Sequence, residues 1–226
     1  MTKIKLGSEL PYKLLSPLLR LFTKLKYNPT IINKEVIPKE GPILIVSNHK
    51  HVFDQCFAIM ATKRVIHYMA KKEYFDKKYP EGHHAWFFKA AGCIPVDRTI
   101  HDEDAKSRAL EVLKNGGAIG LFPEGTRNKT YDTFLLPFKF GTVSMAQKTG
   151  ATIVPSCVTG DYDKKKGNLM VRFGKPFKVP KDMDLAEANE KLYKEIESLM
   201  KQNLKETNRS IEEELASRNQ DQKKKK

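Results

Sequence analysis

Three short clusters in the 226-residue chain carry side chains able to do chemistry, and each lies at the end of a short apolar or extended run. The first is Asn48-His49-Lys50-His51-Val52-Phe53-Asp54. A histidine and an aspartate five positions apart do not share a helix face, which needs a spacing of three or four. His49 is therefore expected in a turn, with Asp54 in the first turns of the following helix, reaching back. A carboxylate bonded to one ring nitrogen fixes the imidazole tautomer and leaves the other nitrogen free to take a proton from a hydroxyl near neutral pH. His51 is an alternative base, and Asn48 suits a cap for the turn. The plainer alternative is a capping aspartate beside a surface histidine.

The second cluster, Phe122-Pro123-Glu124-Gly125-Thr126-Arg127, also follows an apolar run. Pro123 lacks an amide donor, and Gly125 permits backbone conformations that other residues resist. Glu124 and Arg127 flank such a turn and could bind a polar headgroup, or simply pair with each other. The third, Gly92-Cys93-Ile94-Pro95-Val96-Asp97-Arg98, ends in an arginine whose planar fork of donors suits phosphate.

The elements that must position these clusters follow from periodicity. Strands are expected over residues 31–36, 43–46, 65–69, 93–96, 118–122, 152–158 and 169–173, and helices over 53–62, 86–91, 102–113 and 141–149, with a long helix from Leu185. Pro95 suggests an edge strand or strand end. Alternating strands and helices point to an α/β fold, a layered mixed sheet flanked by helices. Ligand sites in such folds lie at the carboxyl ends of strands, where His49 and Glu124 stand. Before this domain, Leu14, Leu15, Leu18, Leu21, Phe22 and Leu25 recur at helical spacing among Lys13, Arg20, Lys24 and Lys26. This basic amphipathic helix either packs on the core or lies in a membrane interface. The expected domains are residues 1–28, an amphipathic membrane-associating helix; 29–205, the α/β domain; and 206–226, a charged C-terminal tail ending in Lys223 to Lys226.

Lys and Arg total 41 against 27 Asp and Glu, a net charge of +14 that implies an anionic partner: nucleic acid, lipid headgroups or a phosphorylated substrate. No groove-reading helix or base-stacking platform for nucleic acid is evident. The three cysteines are scattered and form no C-x-x-C pair, so reduced thiols in a cytoplasmic chain are expected. No apolar run approaches the roughly 20 residues of a membrane span, and no signal peptide is apparent, so membrane contact is expected to be peripheral, at the cytoplasmic face.

Taken together, the clusters resemble the glycerolipid acyltransferases of the lysophosphatidic acid type. That family's N-H-x-x-x-x-D (HX4D) motif is matched by Asn48, His49 and Asp54. Its G-x-I-x-[ILV]-x-R motif is matched by Gly92, Ile94, Val96 and Arg98, and its F-P-E-G-T-R motif by Phe122 to Arg127 throughout. A fourth, an apolar strand with an embedded proline, resembles Ile153-Val154-Pro155, so the resemblance spans about residues 42–158. Pro95 stands where the family often has an aromatic, and Asn128 where it often has serine.

The resemblance implies a glycerolipid acyltransferase fold and transfer of a fatty acyl group from acyl-CoA or acyl-carrier protein to 1-acylglycerol 3-phosphate (lysophosphatidic acid). His49 would be the general base and Asp54 its partner. Arg98 and Arg127 would hold the phosphate, with Lys139 a further contact. Glu124 would hold the glycerol or its own loop, with Gly125 and Thr126 completing the substrate turn. No Ser or Cys stands in a motif as nucleophile, so no acyl-enzyme is required, and neither metal nor cofactor is implied beyond the acyl donor. The alternatives are another glycerolipid acceptor or a noncatalytic lipid-binding membrane module. An anionic membrane surface, and no nucleic acid, is the expected partner.

Overall fold

The computed structural model of the chain describes residues 9–100, 102–130 and 132–218. In chain order the elements are α1 (Leu10–Tyr27), β1 (Thr30–Ile32), β2 (Ile43–Ser47), α2 (Asp54–Ala61), β3 (Ile66–Lys71), α3 (Ala85–Ala90), β4 (Ile94–Val96), α4 (Glu103–Lys114), β5 (Ala118–Leu121), α5 (Gly141–Thr149), β6 (Thr152–Thr159), β7 (Met170–Phe173), α6 (Leu185–Glu206) and α7 (Ile211–Ser217). The strands form one seven-stranded sheet in the order β1-β7-β6-β2-β5-β3-β4. β6, β2, β5, β3 and β4 run parallel, while β7 is antiparallel to β6 and parallel to β1.

β2 shows why the layers form. Its run Ile43-Leu44-Ile45-Val46 is wholly buried, as a parallel strand covered on both faces must be. Side chains alternate across a strand. Ile43 and Ile45 enter one layer with Tyr27, Phe57 and Ala58, and Leu44 and Val46 enter the other with Ala109, Leu113, Val143, Leu192 and Ile196. Because β2, β5, β3 and β4 are parallel, their carboxyl ends lie at one edge of the sheet, where His49, the Phe122 to Arg127 turn and Arg98 follow β2, β5 and β4. Pro95 lies in β4, an edge strand, as the sequence suggests. Pro155 lies inside β6, between the isolated bridge of Ile153 to Phe177 and the start of the β7 ladder at Ser156. At this break its missing amide costs no ladder bond to β7.

α1 docks with its polar face inward. Tyr12, Ser16, Thr23 and Tyr27 are buried. Leu10, Leu14, Leu18, Leu21 and Leu25 are each 55–67 % exposed, and Phe22 is also exposed. Packing of the apolar stripe on the core is thus overturned for these residues. Arg20 does not point outward with the lysines. It donates from Nε to the Ile59 carbonyl (2.8 Å) and from the guanidinium to the Thr62 carbonyl (2.7 Å), meeting the orphan carbonyls at the end of α2. α1 ends at Asn28, whose φ of 45° is left-handed, just before Pro29.

Two expectations need correction. Residues 31–36 do not form one strand: β1 stops at Ile32 and a 3-10 turn follows over Lys34–Val36. Nor is the chain after residue 206 merely a charged tail. Ser210 and Glu213 form a capping box that starts α7, which buries Glu214 and Leu215. Arg218 then donates to the carbonyls of Thr133 (2.7 Å) and Phe134 (2.7 Å). The lysine run 223–226 and residues 1–8 lie outside the described residues.

Candidate active site

His49 follows the end of β2 with only Asn48 between, and Asp54 is the first residue of α2. The geometry matches the reach-back expected from their spacing: His49 Nδ1 lies 2.8 Å from Asp54 Oδ2. The same oxygen accepts from the backbone amides of Lys50 (2.8 Å) and His51 (2.8 Å). Burial pushes the Asp54 carboxyl toward the neutral form. The His49 hydrogen bond and charge, the Tyr162 hydroxyl and the His51 amide outweigh it and hold the group below its ordinary value. An ionised Asp54 fixes the proton on Nδ1 and leaves Nε2 as the acceptor of the His49 ring, whose side chain is 18 % exposed.

The imidazole rests on an aromatic stack. Phe122 lies parallel to it at 4.0 Å between centroids, and Tyr68 backs Phe122 at 5.7 Å. Gly120 in β5 makes room for Tyr68, because a Cβ there would come within 2.2 Å of the Tyr68 ring. The F-P-E-G-T-R turn also grips the histidine's backbone. Glu124 Oε1 accepts from the His49 amide (2.8 Å), and the Asn128 amide donates to the His49 carbonyl (2.7 Å). Glu124 Oε2 accepts from the Leu136 amide (3.0 Å), so both oxygens of this buried carboxylate hold backbone. Of its two expected roles, holding the local loop is the one these two bonds describe. Burial raises the Glu124 carboxyl above its ordinary value, against the pull of the Leu136 and His49 amides.

Other expected site residues surround this turn. Gly125 has a φ of 72°, and a Cβ there would meet the end of the Lys139 side chain at 2.8 Å. The Lys139 amide bonds the Pro123 carbonyl (2.8 Å), which brings that lysine to the motif from 12 or more residues away. Thr126, Arg127 and Lys139 are exposed. Arg98, also exposed, follows β4, three strands from β2 across β5 and β3. At the usual inter-strand spacing that is about 14 Å. It shares the carboxyl edge with His49 without joining its hydrogen-bond network.

Two sequence readings change. Asn48 does not cap the turn. Its side chain donates to the Val158 carbonyl (2.9 Å) and accepts from the Val158 amide (2.7 Å), tying the end of β2 to β6. His51, the alternative base, is buried and stacked on Tyr162 at 3.8 Å, and its Nδ1 accepts from the Phe53 amide (3.2 Å).

Sequence reasoning missed Lys50 and Glu214. Both are buried and form an ion pair. Lys50 Nζ also donates to the Gly160 carbonyl (2.8 Å) and Ser217 Oγ (3.0 Å). Glu214 Oε2 accepts from the Gly160 amide (2.8 Å) and from Arg209 (2.8 Å). The C-terminal helix is thereby bonded to the turn that carries His49. The S-x-x-E capping-box pattern at Ser210 was the available signal for that helix.

Comparison with known proteins bears on the same residues. The family model described as Acyltransferase matches residues 28–159, from the end of α1 through β6. The chain belongs to the acyltransferase family. Among its relatives is the 1-acyl-sn-glycerol-3-phosphate acyltransferase of Bacillus subtilis, 30% identical over 170 residues that cover 73% of this chain and 81% of the relative. The Borreliella burgdorferi protein of the same name is 32% identical over 55% of this chain and 48% of its own. A chloroplastic relative from Brassica napus, 30% identical, is matched over 59% of this chain and only 38% of its own length. The crystal structure of the 1-acyl-sn-glycerophosphate acyltransferase of Thermotoga maritima has the same fold, with a TM-score of 0.64 and 22% identity over 87% of this chain and 83% of that one. In this acyltransferase, α7 and the loop after β6 lie beyond the matched region, yet both bond to the His49 turn.

Proposed function

We propose that the enzyme transfers a fatty acyl group from the thioester of acyl-CoA or acyl-carrier protein to the sn-2 hydroxyl of 1-acylglycerol 3-phosphate, giving phosphatidic acid at the cytoplasmic face of a membrane. The observation that carries this reading is the His49 to Asp54 bond of 2.8 Å, held at the carboxyl edge of the sheet. His49 Nε2 takes the hydroxyl proton as the acceptor oxygen bonds to the thioester carbonyl carbon. The carbonyl electron pair moves onto oxygen, and Asp54 stabilises the imidazolium. Collapse of the intermediate breaks the C–S bond, and the leaving thiolate takes the proton from His49. Backbone amides near the motif turns stabilise the oxyanion, with Gly125 allowing close approach. Arg127, Lys139 and Arg98 draw the phosphate to this edge, with Thr126 beside them. The relatives' shared name supports the acceptor.

Membrane contact is assigned to α1. Its five exposed leucines line a helix that also carries Lys13, Lys24 and Lys26. An apolar face rimmed by lysines suits an anionic interface. No helix among the described residues is long and apolar enough to cross a membrane.

A panel of acceptors with one acyl-CoA donor tests the reading. Highest kcat/KM is expected for 1-acylglycerol 3-phosphate. Preference for glycerol 3-phosphate or another lysophospholipid would replace the acceptor. Lipid binding with no transfer to any acceptor, from acyl-CoA or from an acyl-carrier protein thioester run beside it, would make the protein a noncatalytic module.

A further inference from the structure

Asp54 uses its two oxygens differently. Oδ2 takes three donors, the His49 ring and two backbone amides, each at 2.8 Å. Oδ1 accepts from the hydroxyl of Tyr162, in the loop that follows β6. The Tyr162 ring is itself fixed. His51 stacks on it at 3.8 Å and 21°, Tyr27 from the end of α1 meets it edge-on at 5.4 Å and 82°, and Phe57 lies 5.8 Å away.

The terminal torsion of an aspartate is soft and nearly two-fold. Three donors on one oxygen do not by themselves hold the carboxylate plane in line with an imidazole. A fourth donor on the other oxygen, carried by a packed ring, does so. We propose that Tyr162 is a positioning residue of the transfer reaction, its hydroxyl locking the Asp54 carboxylate so that Oδ2 faces His49. This rests on the reading of His49 as the base. Tyr162 acts through Asp54 and touches no substrate, and it lies outside the matched region 28–159.

The hydroxyl also draws charge from the carboxylate. Removing it leaves a buried Oδ1 without that donor and frees the carboxylate plane to turn away from the imidazole. The charged and titratable groups facing this cluster are His49 and His51 in the turn, Lys50 with Nζ 6.0 Å from the Tyr162 ring, Glu214 on α7 paired with Lys50, Tyr27 on α1, Cys56 on α2, Tyr68 on β3, and Glu124 on the His49 amide. Tyr162→Phe leaves all of them in place and keeps the ring stack.

The test is steady-state transfer by the full chain on lipid vesicles, comparing the parent, Tyr162→Phe, Asp54→Asn, the double variant and His49→Ala. Tyr162→Phe is expected to lower kcat about tenfold, as loss of an outer hydrogen-bond partner does at other sites. It leaves KM for both substrates unchanged. Added to Asp54→Asn, it causes no further loss, because the two act as a unit. A parent-like kcat, a loss confined to KM, or a full further loss in the Asp54→Asn background would overturn the role of Tyr162. Turnover retained by His49→Ala would overturn the base assignment beneath it, a separate failure.

Discussion

Glu214→Ala removes a fully buried carboxylate that ties the last described helix to the His49 turn, and its cost can be worked from its partners. The substitution deletes the ion pair with Lys50 and the acceptor for the Gly160 amide and Arg209, each at 2.8 Å. Lys50, 8 % exposed, keeps the Gly160 carbonyl and Ser217 Oγ but loses its counter-charge. Arg209 keeps Asp161 at 3.6 Å. Removing one partner of a buried ion pair costs about 3–5 kcal/mol, chiefly because a charge remains in the interior. For a chain of this size that corresponds to a Tm lower by roughly 6–20 °C. The control is Glu190→Ala, which breaks the exposed 3.1 Å pair with Lys194 and costs under about 1 kcal/mol. The paired replacement Lys50→Met/Glu214→Leu removes both charges and recovers most of the loss. Calorimetry and urea unfolding read all of these. A Glu214→Ala cost no larger than that of Glu190→Ala would refute the claim that α7 is held by a desolvated charge pair.

Gly120→Ala forces a Cβ to within 2.2 Å of the Tyr68 ring, so a destabilisation of about 1–3 kcal/mol in urea and a lower kcat are expected as the Tyr68 to Phe122 stack beneath His49 shifts. Parent-like values for both would show that the ring yields freely. Leu14→Glu/Leu18→Glu changes two exposed positions of α1. Burial of a leucine is worth about 1.5–3 kcal/mol, so sedimentation with anionic vesicles weakens at least roughly tenfold with Tm preserved; undiminished sedimentation would remove α1 from the interface. Arg98→Ala is expected to raise KM for the lysolipid about tenfold, the worth of one charge-assisted hydrogen bond, and an unchanged KM would reject its phosphate role.

Local signals made much of this fold legible. The α5 pattern gave both helix ends, the apolar run of β2 marked a strand, and Pro95 suggested an edge strand or strand end, of which the structure shows the edge. The five-residue spacing of His49 and Asp54 was enough to expect a turn, with the carboxylate reaching back from the helix. What remained hidden depended on partners distant in sequence. Asn48 meets Val158, Lys50 meets Glu214, and Asp54 meets Tyr162, each across more than 100 residues, and no local pattern encodes such a pair. The orientation of α1 was hidden for another reason. A stripe of leucines shows that a helix has an apolar face, but not whether that face meets the core or a membrane, and here buried Tyr12, Ser16, Thr23 and Tyr27 make the core contact. The 3-10 turn over Lys34–Val36 was missed because the β-rich composition of 31–36 outweighed Asn33, which adopts a φ of 59°.

Single-turnover acyl transfer by His49→Ala, with the parent and Asp54→Asn alongside on the same vesicles, tests most directly whether an oriented imidazole drives this chemistry. A loss of about 10³-fold or more for His49→Ala, with a large loss for Asp54→Asn and with Tm and vesicle binding unchanged, is the predicted result. Transfer by His49→Ala at close to the parent rate would contradict it.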